Sequence, residues 1–225
     1  MKKSIIVCIS LCLFLACLGI GIISASTNEN VFFLAGQFLN SGRNEGSAGT
    51  NSNVTILAKY NGMSITSAVV EYQKKLNILR SNDAVQLRDT DVEIINKIIE
   101  NMMLFEEAER LGLSATEAEI ESMVQNTVQA YSIPEGKEMM DAYFKGAGIT
   151  MEEYLQMVRE QAPTVIACQK LKDMIGKQYC EKHGLQFTKV NPPAEMVAAQ
   201  EEYINSLFEE NKHKIEYFIA TDSVS

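Results

Sequence analysis

The chain is poor in the residues from which most catalytic and metal sites are built. It has two histidines among 225 residues, and tryptophan is absent. The zinc-protease pattern HExxH, the CxxC pair, the P-loop and the GxGxxG fingerprint are all missing. His183 follows Cys180 by three residues, but no third orienting group accompanies this pair. We therefore predict a protein that is not an enzyme, with no catalytic residues, no metal site and no cofactor.

Carboxylates do not replace these residues as a predicted catalytic pair. Glu106 and Glu107 are adjacent on a predicted helix and point to different faces of it. We interpret both as part of a solvated surface.

Cysteine is scarce beyond the apolar N-terminus, where only Cys168 and Cys180 occur. On a single helix they would stand about 18 Å apart, which is beyond the reach of a disulfide bond. Only a sharp turn near Gly176 would bring them together. Two unpaired thiols are therefore the favoured interpretation.

Positive charge is also in short supply. Lysine and arginine number 20 against 29 acidic residues, which gives a net charge of −9. Residues 1–26 hold two lysines and no acid, so without them the net charge falls to −11. Nucleic-acid phosphates attract basic surfaces, so we exclude nucleic acid as a partner.

The N-terminus carries a targeting signal. Lys2 and Lys3 precede an apolar run over residues 5–23, a pattern that predicts export from the cytoplasm. Small residues at 24–26 suit cleavage of residues 1–26 as a signal peptide, whereas the run nearly suffices to span a bilayer as a retained anchor. Lipidation at Cys17 is a third alternative. The protein is expected outside the cytoplasm, either secreted or membrane-anchored.

Composition then divides the remaining chain. Residues 27–53 are rich in Asn, Gly and Ser, which is typical of a flexible linker. The apolar segment Val31–Leu39 within it fits a membrane-surface contact and an incidental apolar patch equally well. Residues 54–225 are interpreted as one folded domain.

Helical signals fill most of that domain. Three capping boxes, at Thr90, Thr116 and Thr150, each place a glutamate three residues later. The stretch from Thr90 to Gly112 predicts a central helix whose apolar face is wide enough to pack on more than one side.

Further helices follow this central one. A short helix is predicted over Lys137–Lys145. A long helix from Thr150 is expected to end near Gly176 and to kink at Pro163.

Strand signals stand near the two ends of the domain. Residues 54–65 alternate between apolar and polar side chains and contain the turn signal Asn61-Gly62. Residues 214–220 alternate in the same way. We predict a mainly α fold, a multi-helix bundle closed by a small two-stranded sheet that pairs residues 54–60 with 214–219.

Five segments resemble, in the same order, motifs of the N-terminal chaperone module of SurA/PrsA-type extracytoplasmic foldases, which is related to the trigger-factor substrate-binding region. The segments are Lys59–Thr66 (KYNGMSIT), Ile98–Leu113 (IIENMMLFEEAERLGL), Ser114–Ile120 (SATEAEI), Gly148–Tyr154 (GITMEEY), and the tail from Tyr203–Leu207 (YINSL) to Lys214–Tyr217 (KIEY).

The resemblance implies an ATP-independent chaperone that holds unfolded or newly exported polypeptides in an apolar cleft. Only 45 residues follow Cys180, too few for the parvulin domain of full-length members. The resemblance therefore implies a module without prolyl isomerase activity. A membrane-associated scaffold with one specific protein partner is the alternative.

Methionine is plentiful and suits a surface that adapts to many apolar partners, although each methionine also fits an irregular core. The adjacent pairs Met102/Met103 and Met139/Met140 are each expected to send one side chain toward a cleft or solvent. The predicted client-binding residues are Met102, Phe105, Met140, Tyr143 and Phe144.

Overall fold

The computed structural model describes residues 55–80 and 90–219, so the predicted leader (1–26) and linker (27–53) lie outside the described residues. The described residues form three strands, β1 (Ile56–Tyr60), β2 (Met63–Thr66) and β3 (Ile215–Tyr217), and six α-helices. The helices are α1 (Ser67–Arg80), α2 (Asp91–Arg110), α3 (Glu117–Ser132), α4 (Pro134–Ala147), α5 (Met151–His183) and α6 (Ala194–Asn211), and a 3₁₀ turn over Lys212–Lys214 precedes β3.

The strands form one antiparallel sheet in the order β2-β1-β3. Tyr60 pairs with Met63 on one side of β1 and with Ile215 on the other, so the two ends of the domain meet in the sheet. The predicted mainly α fold and the pairing of its terminal strands are confirmed. The sheet has three strands rather than two, because Asn61 and Gly62 adopt positive φ and reverse the chain between β1 and β2.

Helix α2 lies at the centre of the bundle. Thr90 and Glu93 form the predicted capping box. At the other end Gly112 has a φ of 71°, and the Leu113 amide donates to the Ala108 carbonyl, which closes the helix in a Schellman turn. Eight residues of α2 are buried, and seven of them belong to two core clusters. The prediction that this helix packs on more than one side is confirmed.

Helix α4 is longer than the sequence pattern suggested. It begins at Pro134 and ends at Ala147, whereas the predicted helix covered only Lys137–Lys145. Proline occupies the first turn, where it breaks no helix hydrogen bond, so the helix can begin at Pro134. Gly148 terminates α4 in the left-handed conformation.

Helix α5 runs without interruption for 33 residues, past Pro163 and Gly176. The predicted end near Gly176 is wrong, because that glycine lies where α6 crosses. A Cβ there would come within 3.2 Å of Met196, Gln200 and Phe187. The helix ends at His183, followed by left-handed Gly184. Cys168 and Cys180 are both free, as predicted.

Buried residues form three clusters along the bundle. The first is built by α3, α4 and the first half of α5, the second by the sheet, α1 and α2, and the third by α2 and the second half of α5. Helix α6 packs on the second and third clusters through half-buried side chains. Among the described helices, none combines the length and the apolar character required to span a bilayer.

Candidate functional site

The five predicted client-binding residues lie in three different places. Met140, Tyr143 and Phe144 are buried in the first cluster, where the Phe144 ring packs 5.3 Å from that of Tyr154. Met102 is buried in the second cluster, and half-buried Phe105 packs against the third. The structure therefore brings three of the five together, but as core residues rather than as the wall of an open cleft.

The expectation for the adjacent methionines holds for one pair only. Met102 and Met103 are 7% and 2% exposed, so neither side chain points to solvent. The prediction for this pair is wrong because α2 is covered on several sides. In the other pair Met140 is buried and Met139 is half-buried.

Apolar side chains reach the surface around the first cluster. Half-buried residues pack against it from α1, α3 and α5, and we call six of them the methionine border: Met123, Met151, Met157, Tyr72, Tyr131 and Leu155. Three of the six carry flexible thioethers, which adapt to differently shaped apolar partners. In the sequence, Met123 and Tyr131 belong to an apolar stripe of α3 with the three-four spacing of a helix, but only packing shows which residues of that stripe stay half-exposed.

The two glutamates at the end of α2 each hold a tyrosine from another element. The Tyr60 hydroxyl donates to Glu106 at 2.8 Å, and the Tyr203 hydroxyl donates to Glu107 at 2.8 Å. Arg110 also donates to Glu107 through two nitrogens. These carboxylates connect β1 and α6 to the central helix, so their interpretation as solvated surface is wrong.

The titration of these groups reflects their pairing. Burial, followed by the hydrogen bond to Glu107, raises the pKa of Tyr203 to about 12. The hydrogen bonds from Arg110, with a smaller contribution from Tyr203, hold the pKa of Glu107 below its ordinary value. Both groups therefore keep the ionisation state that maintains the contact at neutral pH.

Helix α6 lies in a groove between α2 and α5. Tyr203, Ile204 and Leu207 pack against the third cluster, whose floor includes Ala108 and Ala167, both 0% exposed. Two hydrogen bonds flank these apolar contacts. The Tyr203 hydroxyl donates to Glu107, and the Gln200 amide donates to the Lys172 carbonyl at 2.7 Å.

The outer face of α6 is acidic. A concavity of about 550 Å³ lies along it, and the described residues that line it are Ala198, Glu201, Glu202, Asn205, Ser206, Glu209 and Glu210. Four carboxylates in seven residues make this face unsuited to an apolar ligand. It keeps that side of the helix solvated.

Three further groups of the described residues have chemically reactive side chains: Cys168, Cys180 and His183. Cys180 is 1% exposed. The exposed His183 stacks on Tyr179, and its Nδ1 lies 2.8 Å from the Tyr179 carbonyl oxygen. Burial raises the pKa of the Cys168 thiol to about 11, so this thiol is protonated and weakly nucleophilic at neutral pH. Among the described residues, no group of three His, Cys, Asp or Glu side chains is placed to hold a metal ion.

Comparison with known proteins adds no relative to this description: the chain matches no protein-family model, no curated protein and no solved structure.

Proposed function

We propose that the protein is an ATP-independent chaperone that acts outside the cytoplasm and binds unfolded or newly exported polypeptides, without prolyl isomerase activity. The observation that carries the proposal is the methionine border, a set of half-buried apolar side chains that pack against the first cluster. The resemblance of five segments to SurA/PrsA-type chaperone modules supports the same function.

The mechanism is reversible burial of apolar client segments. A client side chain that packs on the border loses contact with water, which favours binding in proportion to the apolar area covered. Methionine side chains change rotamer at low cost, so the methionine border fits clients of different sequence. The net negative charge of the chain keeps the loaded protein soluble.

Aggregation of two unrelated unfolded proteins, reduced insulin and heated citrate synthase, tests the proposal. The full chain is expected to suppress light scattering from both at a near one-to-one ratio. Replacing Met123, Met151 and Met157 by glutamine is expected to raise the required amount about fivefold or more, since each partly buried methionine contributes on the order of 1 kcal/mol.

The matched control replaces the same three residues by leucine, which keeps the apolar area and removes only the flexible thioether. This control is expected to retain most of the suppression. Failure of the native chain to protect either client, together with capture of one protein partner, would instead establish a scaffold. Catalysed prolyl isomerisation of a test peptide would contradict the absence of enzyme activity.

A further inference from the structure

We propose that α6 is a displaceable lid, and that the groove beneath it between α2 and α5 accepts an amphipathic helical segment of a client when α6 leaves. The inference depends on the proposed function for the nature of the ligand, an apolar stretch of polypeptide. It adds a second binding surface, closed in this structure, to the open methionine border.

The side chains that α6 places toward the groove show which ligand the groove fits. Met196, Gln200, Tyr203 and Leu207 follow each other at spacings of four, three and four residues, which is the pattern of a helix held in a groove. The third cluster, against which α6 packs, includes the small residues Ala108 and Ala167, both 0% exposed.

Apolar burial holds α6 less firmly than it holds the central helix. Met196 is the single buried residue of α6, while α2 buries eight of its 20 residues. Tyr203, Ile204, Leu207 and Phe208 are half-buried. Elements with few fully buried apolar contacts are the ones that open locally before the rest of a protein unfolds.

The N-terminus of α6 lacks the side-chain cap that begins its two neighbours. Helices α2 and α5 each begin with a complete capping box, whereas α6 has no side-chain cap at its N-terminus. The helix contains five glutamates and no lysine or arginine. Glu209 and Glu210 stand in its last turn, where the helix dipole disfavours negative charge, and Lys212, just beyond the helix, pairs with Glu209.

The acidic outer face makes opening less unfavourable. Glu201, Glu202 and Glu210 already lie in solvent, so displacement exposes only the inner face of α6 and the groove. Once open, the groove presents two hydrogen-bond acceptors at its edge, the Glu107 carboxylate and the Lys172 carbonyl. The preferred client segment therefore carries apolar residues with α6-like spacing and a donor, such as Tyr, Gln, Lys or Arg, near its centre.

Two substitutions shift the lid in opposite directions. Tyr203→Phe removes the hydrogen bond to Glu107 and is expected to increase the population of the open form about tenfold. Glu210→Lys removes an unfavourable charge at the end of α6 and is expected to decrease it by roughly two- to fivefold. Hydrogen exchange of the full chain, followed by mass spectrometry, measures both effects on peptides from residues 194–211.

Each variant has a control of the same chemistry outside the lid. Tyr60→Phe removes a hydrogen bond of the same length to the neighbouring carboxylate, but on β1. Glu181→Lys makes the same charge change in the last turn of α5, where the side chain is exposed. Neither control is expected to change exchange in α6 relative to the rest of the molecule.

Binding is measured with a fluorescein-labelled peptide that copies residues 194–211, and with a second peptide in which serine replaces the residues corresponding to Tyr203 and Leu207. Compared with the native chain, we expect the first peptide to bind more tightly to Tyr203→Phe and more weakly to Glu210→Lys. The second peptide is expected to bind neither the native chain nor either variant. Equal exchange in α6 and α2, or peptide affinity unchanged by either variant, would overturn the lid.

The experiments can refute the lid and the chaperone activity independently of each other. Suppression of aggregation that is identical in both lid variants leaves the methionine border as the client site and rejects the groove. Peptide binding that follows the lid, without suppression of aggregation in any variant, rejects the chaperone and retains the groove as a site for one helical partner.

Discussion

Replacing Gly136 by alanine is expected to open the corner between α3 and α4. Gly136 lies in the first turn of α4, directly against the last turn of α3. A Cβ at this position would stand 2.1 Å from the carbonyl oxygen of Ala130 and 3.1 Å from its carbonyl carbon. Both contacts are with main-chain atoms, so a change of side-chain rotamer cannot relieve the overlap.

Two opposing terms set the magnitude of the change. Helix propensity favours alanine over glycine by about 1 kcal/mol. Overpacking of a filled site costs about 1–3 kcal/mol, and an overlap with a main-chain oxygen belongs at or above the upper end of that range. We expect a net loss of about 2 kcal/mol, which lowers the melting temperature of a protein of this size by roughly 4–8 °C.

Thermal unfolding followed by circular dichroism at 222 nm measures this loss, and two other glycines provide the comparison. At Gly176 the added Cβ would meet only the movable ends of side chains, so Gly176→Ala is expected to cost less. At Gly112 nothing lies within 4 Å, and only the positive φ opposes alanine, at about 1 kcal/mol. A Gly136→Ala protein as stable as the native chain would show that α3 and α4 do not meet this closely.

Three further predictions concern the core, an ion pair and a thiol. Leu171→Ala, at a site that is 0% exposed, is expected to lower the free energy of unfolding in urea by about 2–5 kcal/mol, whereas Leu185→Ala, 40% exposed, should change it by no more than about 0.5 kcal/mol. The hydrogen bond from Lys170 is the main cause that lowers the pKa of Glu119 from 4.5 to about 2. The ionised Glu119 carboxylate therefore stabilises the fold fully above pH 4.5, and this contribution is lost as the pH falls toward 2. Between pH 5 and pH 2.5 the urea midpoint of Glu119→Gln should fall less steeply than that of the native chain. With its pKa at about 11, Cys168 should react with a maleimide at pH 8 at least about tenfold more slowly in the folded chain than in guanidinium, and equal rates would contradict its burial.

The helix boundaries set by local chemistry were predictable. Each Thr-x-x-Glu capping box begins a helix, because the threonine hydroxyl and the glutamate carboxylate satisfy amides only a few residues away. The turn at Asn61-Gly62 is equally local, since both residues tolerate positive φ. Strands β1 and β3 were also predictable. Alternation marks each of them, and a domain with one strand near each end closes most simply by pairing the two.

Errors arose where a partner distant in the chain decides the structure. Gly176 resembles a helix end, but it lies inside α5, where Met196 and Gln200 of α6 pack closely against the helix. Glu106 and Glu107 resemble solvated surface, but Tyr60 and Tyr203 reach them across the fold.

The candidate site shows the same division. Composition alone indicated an acidic, methionine-rich protein, because charge and side-chain chemistry are properties of each residue. Which methionines border a cluster and which fill it depends on how many helices cover each face. Met102 on α2 is buried, whereas Met123 on α3 is half-buried, because α2 is enclosed by its neighbours while α3 lies at the edge of the bundle.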